Sequence, residues 1–295
     1  MKRLRPKMKA LAVIFFASVG LAHGATCDRD CLFAVATEYF DALAAHRPEA
    51  LRLAPNARFT EDTAEMKVAD SPLWKHTSGL RPYRMYILDV RQGVAVALAI
   101  AEESGMPVML VARLKVVDGK ISEIETQVTR NKTEGAIFDV EALKEPSKAM
   151  LLEPDAAQRN SRDEAVQIAE HYPHGLQAGS FVTVDAPFAD DTYRFENGRL
   201  MAGPGCTFMP GCEHIKSQKV PKLAGLTYRV AAVDEDLGIV LLRMDFGPGS
   251  TRTAGDSLMV WEAFKVYGGQ IHAVEAFMKN MPQGTPSGWD SPRGR

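Results

Sequence analysis

The pattern of apolar and polar positions divides the chain into two similar runs of elements. Between Asp30 and Arg47, Leu32, Val35, Ala36, Tyr39, Phe40 and Leu43 recur at three and four residues, which predicts an amphipathic helix. His46, Arg47 and Pro48 end it. Arg58 to Glu61 reads as a short strand, and a polar, loop-like stretch containing Trp74 follows. Three longer β patterns come next, at Tyr83 to Asp89, Val94 to Glu102 and Val108 to Val117. Asp118-Gly119 is then a two-residue hairpin turn before a last strand, Lys120 to Thr129. The order returns further on, with a helix over Arg162 to Gly175, a short strand over Tyr193 to Glu196, and long strands over Thr227 to Val233, Gly238 to Phe246 and Ser257 to Val266. A Gly268-Gly269 turn and a strand from Gln270 to Phe277 close it. A helix followed by an antiparallel meander predicts an α+β unit, here present twice.

Identities between the runs point to a tandem duplication. Lys115, Val116, Gly119, Ile121 and Glu125 recur at a constant offset as Lys265, Val266, Gly269, Ile271 and Glu275. Tyr83, Arg84, Asp89 and Gly93 recur as Tyr228, Arg229, Asp234 and Gly238. The period has the size of a small domain, not of a solenoid repeat. Residues 27–130 and 161–281 are therefore expected to be two domains, joined by a linker over 131–160 that carries Pro146 and Pro154. A Gly-, Pro- and Ser-rich tail over 282–295 is expected to be mobile. Ile121 and Ile124 differ in strand parity, which predicts a bulge. An insertion from Gly203 to Lys222 sets the second copy apart.

The amino end changes the picture of charge and compartment. Lys2, Arg3, Arg5, Lys7 and Lys9 precede an apolar stretch, Ala10 to Ala22, with Gly24 and Ala25 behind it, so residues 1–25 are expected to be a bacterial signal peptide. Cleavage would leave 30 basic against 37 acidic residues, a formal charge of −7, which disfavours nucleic acid and anionic membrane as partners. A secreted or periplasmic location permits disulfides, and the four cysteines form two close pairs, Cys27 with Cys31 and Cys206 with Cys212. Local pairing is expected among the three connectivities. The alternative is a metal site of Cys206, Cys212 and His214, which lacks the paired spacing of structural zinc, and no metal is expected.

The order of elements, the closing hairpin and the string PFADDTYRFENG from Pro187 to Gly198 resemble the nuclear transport factor two-like superfamily, also called SnoaL-like. The resemblance covers most of residues 30–130 and 161–280. It implies a curved, mostly antiparallel sheet wrapped on helices into a cone, twice over, with an internal pocket. Many enzymes of that superfamily carry out proton transfer without a cofactor, while other members only bind or dimerise, so the fold leaves function open.

Such chemistry needs a carboxyl or His with a shifted pKa and a donor for a developing oxyanion. Arg194 and Glu196 are two apart on a strand and share one face. Facing inward, Glu196 would be a general base and Arg194 a substrate anchor; facing outward, they would be an ion pair of little weight. In the first copy the corresponding string, Arg58 to Glu61, lacks that spacing, so the two pockets are not expected to be equivalent. Glu125 and Glu275 repeat on the closing strand. Tyr83 and Tyr228 are candidate donors at a pocket mouth, and Trp74 and His214 lie in loops placed to lid a cone. His214 would be an acid or base. The sequence thus leads to an exported, cofactor-independent lyase, dehydratase or isomerase acting on a small hydrophobic molecule, aromatic or not. Glu196, His214 and Tyr228 would be catalytic, and Arg194, Glu275, Trp74 and Tyr83 would contact substrate. The alternative is a non-catalytic periplasmic binding or assembly protein in which the exposed sheet faces pack on one another, within a chain or in a homodimer.

Overall fold

The computed structural model describes residues 27–251, 253–286 and 289, so the expected signal peptide lies outside the described residues. Helix α1, Arg29–Ala44, starts where the Asp28 side chain accepts from the Cys31 amide, and it buries the six apolar positions of its stripe. Strands β1 (Leu53–Glu61) and β2 (Ala64–Glu65) follow, then a five-residue helix α2 (Pro72–His76) inside the stretch read as loop. Long strands β3 (Thr77–Asp89), β4 (Val94–Glu103), β5 (Met106–Val117) and β6 (Lys120–Thr129) complete the first half. The linker contains short helices α3 (Lys132–Gly135) and α4 (Lys148–Leu151). The second half comprises α5 (Arg162–Ala178), β7 (Phe188–Glu196), β8 (Arg199–Ala202), β9 (Thr227–Asp234), β10 (Ile239–Pro248), β11 (Asp256–Tyr267) and β12 (Gln270–Pro282). A reciprocal Ser161–Glu164 capping box starts α5, and Gly179 in a left-handed conformation ends it.

The two six-stranded sheets have one topology, β2-β1-β6-β5-β4-β3 and β8-β7-β12-β11-β10-β9. All pairings are antiparallel except β1 with β6 and β7 with β12. Asp118-Gly119 and Gly268-Gly269 turn the closing hairpins with positive φ at both positions, as their composition demands. The expected bulge is present in both copies: Lys115 pairs with Glu123 and Val116 with Ile121, and likewise Lys265 with Ala273 and Val266 with Ile271. Ser122 and His272 are the extra residues. Each half is the α+β cone that the resemblance implies, with its concave face packed on α1 or α5.

A third apolar cluster joins the halves. Tyr83, Met85, Ile87, Val96, Leu98 and Val111 on the convex face of the first sheet pack with Leu241, Trp261, Ala263 and Phe277 on the convex face of the second, and with Val140 and Met150 of the linker. Around it the polar contacts obey a twofold exchange. Asp89 accepts from the Val233 amide at 2.9 Å and pairs with Arg162 at 2.6 Å; Asp234 accepts from the Leu88 amide at 2.9 Å and pairs with Arg29 at 2.7 Å. Each repeated aspartate thus holds the first residue of the other cone's helix. The repeated glycines beside them have their own reason: a Cβ on Gly93 or Gly238 would come within 2.7 or 2.4 Å of a backbone oxygen, at φ 59° and 61°.

The Tyr-Arg repeat does not obey the exchange. Val230 pairs with Leu242 and Ala232 with Leu241, leaving Ala231 as a bulge that β3 lacks. Counted back from the repeated aspartates, Arg229 therefore takes the place of Met85, and Tyr228 that of Arg84. Tyr228 faces into its cone, whereas Tyr83 faces the interface between cones.

Both cysteine pairs are disulfides, Cys27–Cys31 and Cys206–Cys212, which fits a protein folded in an oxidising compartment. The second bond occupies both thiols of the metal alternative. Among the described residues, no helix is long and apolar enough to cross a membrane.

Candidate functional site

Inside the second cone, alternation along two strands brings ionisable side chains to the concave face. On β7, Thr192, Arg194 and Glu196 share that face, while Tyr193 points the other way, to the interface and linker cluster. On β11, Val260, Glu262 and Phe264 point inward and Trp261 and Ala263 outward. Ala276 pairs with both Glu196 and Glu262, so the two carboxyls occupy one row with a single strand between them. From the opposite side α5 contributes Tyr172, which is 2% exposed.

Arg194 Nη1 donates to the Tyr172 hydroxyl at 3.2 Å, and Arg194 Nε lies 2.9 Å from Glu196 Oε1. The Nε–H does not point along that contact, so the pair is held by charge rather than by an aligned hydrogen bond. Burial tends to discharge Arg194, yet Tyr172, Glu196 and Glu262 together raise its pKa above the ordinary value. Glu262 is 1% exposed, and its Oε2 has no hydrogen-bond partner. Burial pushes this carboxyl up to about 8, Glu196 pushes the same way, and Arg194 and the Tyr172 hydroxyl only partly oppose them. At neutral pH Glu262 is therefore mainly a neutral acid beside a cation. An aromatic wall surrounds the cluster: Tyr172 lies 4.9 Å from Phe181 and 5.0 Å from Phe264, ring to ring.

The other residues singled out in the sequence fall elsewhere. Tyr228 is buried in the second cone and its hydroxyl meets His174 Nε2 at 3.2 Å, at the surface of α5. His214 is exposed, in the cysteine-bearing loop. Trp74 packs edge-on to Tyr39 at 5.5 Å inside the first cone. Tyr83 and Glu275 meet each other, but between the cones, where Tyr193 also donates to Glu275 at 2.9 Å. Burial raises the Glu275 pKa against hydrogen bonds from Ser147, Tyr193 and Tyr83. Glu125 takes a different partner: Arg229 at 2.5 Å, both buried in the interface.

Glu262 and Tyr172 escaped the sequence reading. An acid in the middle of the apolar run Val260-Trp261-Glu262-Ala263-Phe264 was the available signal for the first. The second aligns with Tyr39, counted from the first residue of each helix.

A family described as a domain of unknown function, DUF8021, matches residues 25–128 and 158–278. The chain belongs to that family. No curated protein matches this DUF8021 chain. Among solved structures, it is similar to an NTF2-like protein of unknown function from Cytophaga hutchinsonii, with 12% identity over 35% of this chain and 91% of that one and a TM-score of 0.27. A candidate polyketide cyclase from Sinorhizobium meliloti gives 26% identity over 32% and 94%, with a TM-score of 0.27. AusH from Aspergillus nidulans gives 10% over 41% and 94%, with a TM-score of 0.31.

Proposed function

We propose that the second cone carries acid–base chemistry on a small organic molecule with an apolar or aromatic body and an electron-rich oxygen. Arg194 anchors the oxygen. Glu196 accepts a proton from carbon, and neutral Glu262 delivers one to the oxygen or to a departing hydroxyl, so that proton transfers balance in an isomerisation or in a dehydration that releases water. Tyr172 holds Arg194 and the aromatic wall excludes water.

One observation carries this reading. Cone one has Phe59 and Ala112 at the positions of Arg194 and Glu262, as the shared register with β6 and β12 fixes. The fold is thus built without these ions, and ionisable groups buried in a place that tolerates apolar ones stand out as functional candidates. Tyr228 and His174 would form a second proton route at the end of the same cone, and His214 would act only by loop closure.

The test is mass spectrometry of small molecules retained by the purified protein, then turnover of the retained class by the wild type and by Glu262→Gln and Glu196→Gln. A loss of about a hundredfold or more in rate by each variant is expected, with folding intact. Turnover equal to wild type in both variants sinks the proposal. Retention without turnover by the wild type selects the binding-protein alternative.

A further inference from the structure

The twofold exchange creates two grooves between the cones, and one is filled by the linker while the other is open. In the filled groove Lys265 is completely buried, and its ammonium donates to Leu237 O, Met150 O and Leu152 O. Two of those three carbonyls belong to the linker, whose Met150 side chain enters the apolar cluster with Ala263 and Ala273. The open groove is built from the equivalent residues. Lys115 takes the place of Lys265 and donates to Gln92 O, the counterpart of Leu237 O; among the described residues it has no second acceptor. Arg113 and Glu123, paired at 2.8 Å, stand where Ala263 and Ala273 stand in the other groove. The space beside them measures about 560 Å³ and is closed on its far side by Arg162, Val166, Gln167 and Glu170 of α5 and by the Ala231 bulge. That volume is in the range of small-ligand sites.

An ammonium has three donors, and the filled groove shows what satisfies them here: one carbonyl of the cone itself and two alternate carbonyls, Met150 O and Leu152 O, at the end of the short linker helix α4. We infer that the open groove binds a short peptide in trans, with two backbone carbonyls capping Lys115 as the linker caps Lys265. The exchange of Ala263 and Ala273 for Arg113 and Glu123 sets the preference. A polar side chain belongs where the linker has Met150, because an apolar one would strip water from the Arg113–Glu123 pair without replacing it.

The experiment is isothermal titration of the intact protein with two acetylated, amidated heptapeptides. One has the linker sequence Ser147 to Glu153; the other is the same with glutamine in place of Met150. Saturable one-to-one binding of the glutamine peptide is expected, at least about tenfold tighter than the methionine peptide. Lys115→Met should weaken it by about tenfold or more, in line with losing hydrogen bonds from a charged donor. Gln167→Trp, on the exposed face of α5, should abolish binding by filling the groove without touching a buried contact, and Lys219→Met should leave it unchanged. Absence of saturable binding by either peptide overturns the inference, as does binding that both groove variants leave intact or a preference for the methionine peptide.

Discussion

Phe59 and Ala112 line the first cone at the positions that Arg194 and Glu262 hold in the second, and the surroundings follow suit. In the first cone the carboxyl equivalent to Glu196, Glu61, serves structure: it accepts from Ser71 and the Leu73 amide at the start of α2 and pairs with Arg130 at 2.7 Å. Tyr39, the counterpart of Tyr172, packs on Trp74 instead of meeting an arginine. One framework therefore carries an interior of aromatic packing and another in which buried ionisable groups stand among the rings. Under the proposed function, the second copy carries the reactive groups and the first keeps only the framework.

The largest expected effect comes from half-converting the second cone to the first. Arg194→Phe leaves Glu262 and Glu196 without their cation and should cost about 3–5 kcal/mol in urea unfolding. Adding Glu196→Ala should recover most of that loss, since it removes the charge that Arg194 had paired, while Glu262, mainly neutral, needs no counterion. If the double variant is no more stable than the single one, the two interiors are not interchangeable and the comparison breaks.

The next effect lies in pH. The Glu262 carboxyl is raised in the folded protein from its ordinary 4.5 to about 8. Its contribution to stability is complete below about pH 4.5 and is lost as pH rises toward 8, because the unfolded chain releases the proton first. Glu262→Gln should remove that slope, worth on the order of a few kcal/mol between pH 5 and 8. Unfolding free energies at both values give the answer, and an unchanged slope in the variant contradicts the assignment.

Smaller effects test the twofold exchange. Asp89→Asn and Asp234→Asn should each cost about 1–3 kcal/mol, with the larger loss at Asp89, since both accept one amide across the interface but Arg162 grips Asp89 with two hydrogen bonds and Arg29 gives Asp234 one. Equal losses would show that the second Arg162 hydrogen bond adds nothing to the shared contacts. The smallest effect expected is that of Trp289→Ala. Arg58 stacks 4.1 Å over this indole, whose Nε1 donates to Thr60, so about 1 kcal/mol or less should be lost from the first cone alone.

Much of the framework was legible in the residues. Asp118-Gly119 and Gly268-Gly269 named their turns because only residues tolerant of positive φ fit there, and the parity of Ile121 and Ile124 disclosed a bulge. Spacing alone placed Arg194 and Glu196 on one face. Glu262 could not be joined to them before the fold was known, because the strand between them, β12, comes last in the chain while β7 comes early. The different fates of Tyr83 and Tyr228 were hidden too. Val230-Ala231-Ala232-Val233 reads as an unbroken apolar strand, and nothing in side-chain chemistry marks which alanine leaves the ladder.

That alanine has a consequence for assembly. A pair of identical subunits about a twofold axis allows only self-complementary contacts: whatever one subunit offers, it also receives. By shifting one strand by one residue, the Ala231 bulge swings Arg229 onto Glu125, while the mirrored acid, Glu275, is met by tyrosines. The two halves therefore meet through different polar contacts on the two sides of the twofold axis, a buried ion pair on one and a carboxyl held by tyrosines on the other. Joined in one chain, the halves escape the identity that two copies of one subunit would impose, and a single displaced alanine is enough to give the two sides of one interface different chemistry.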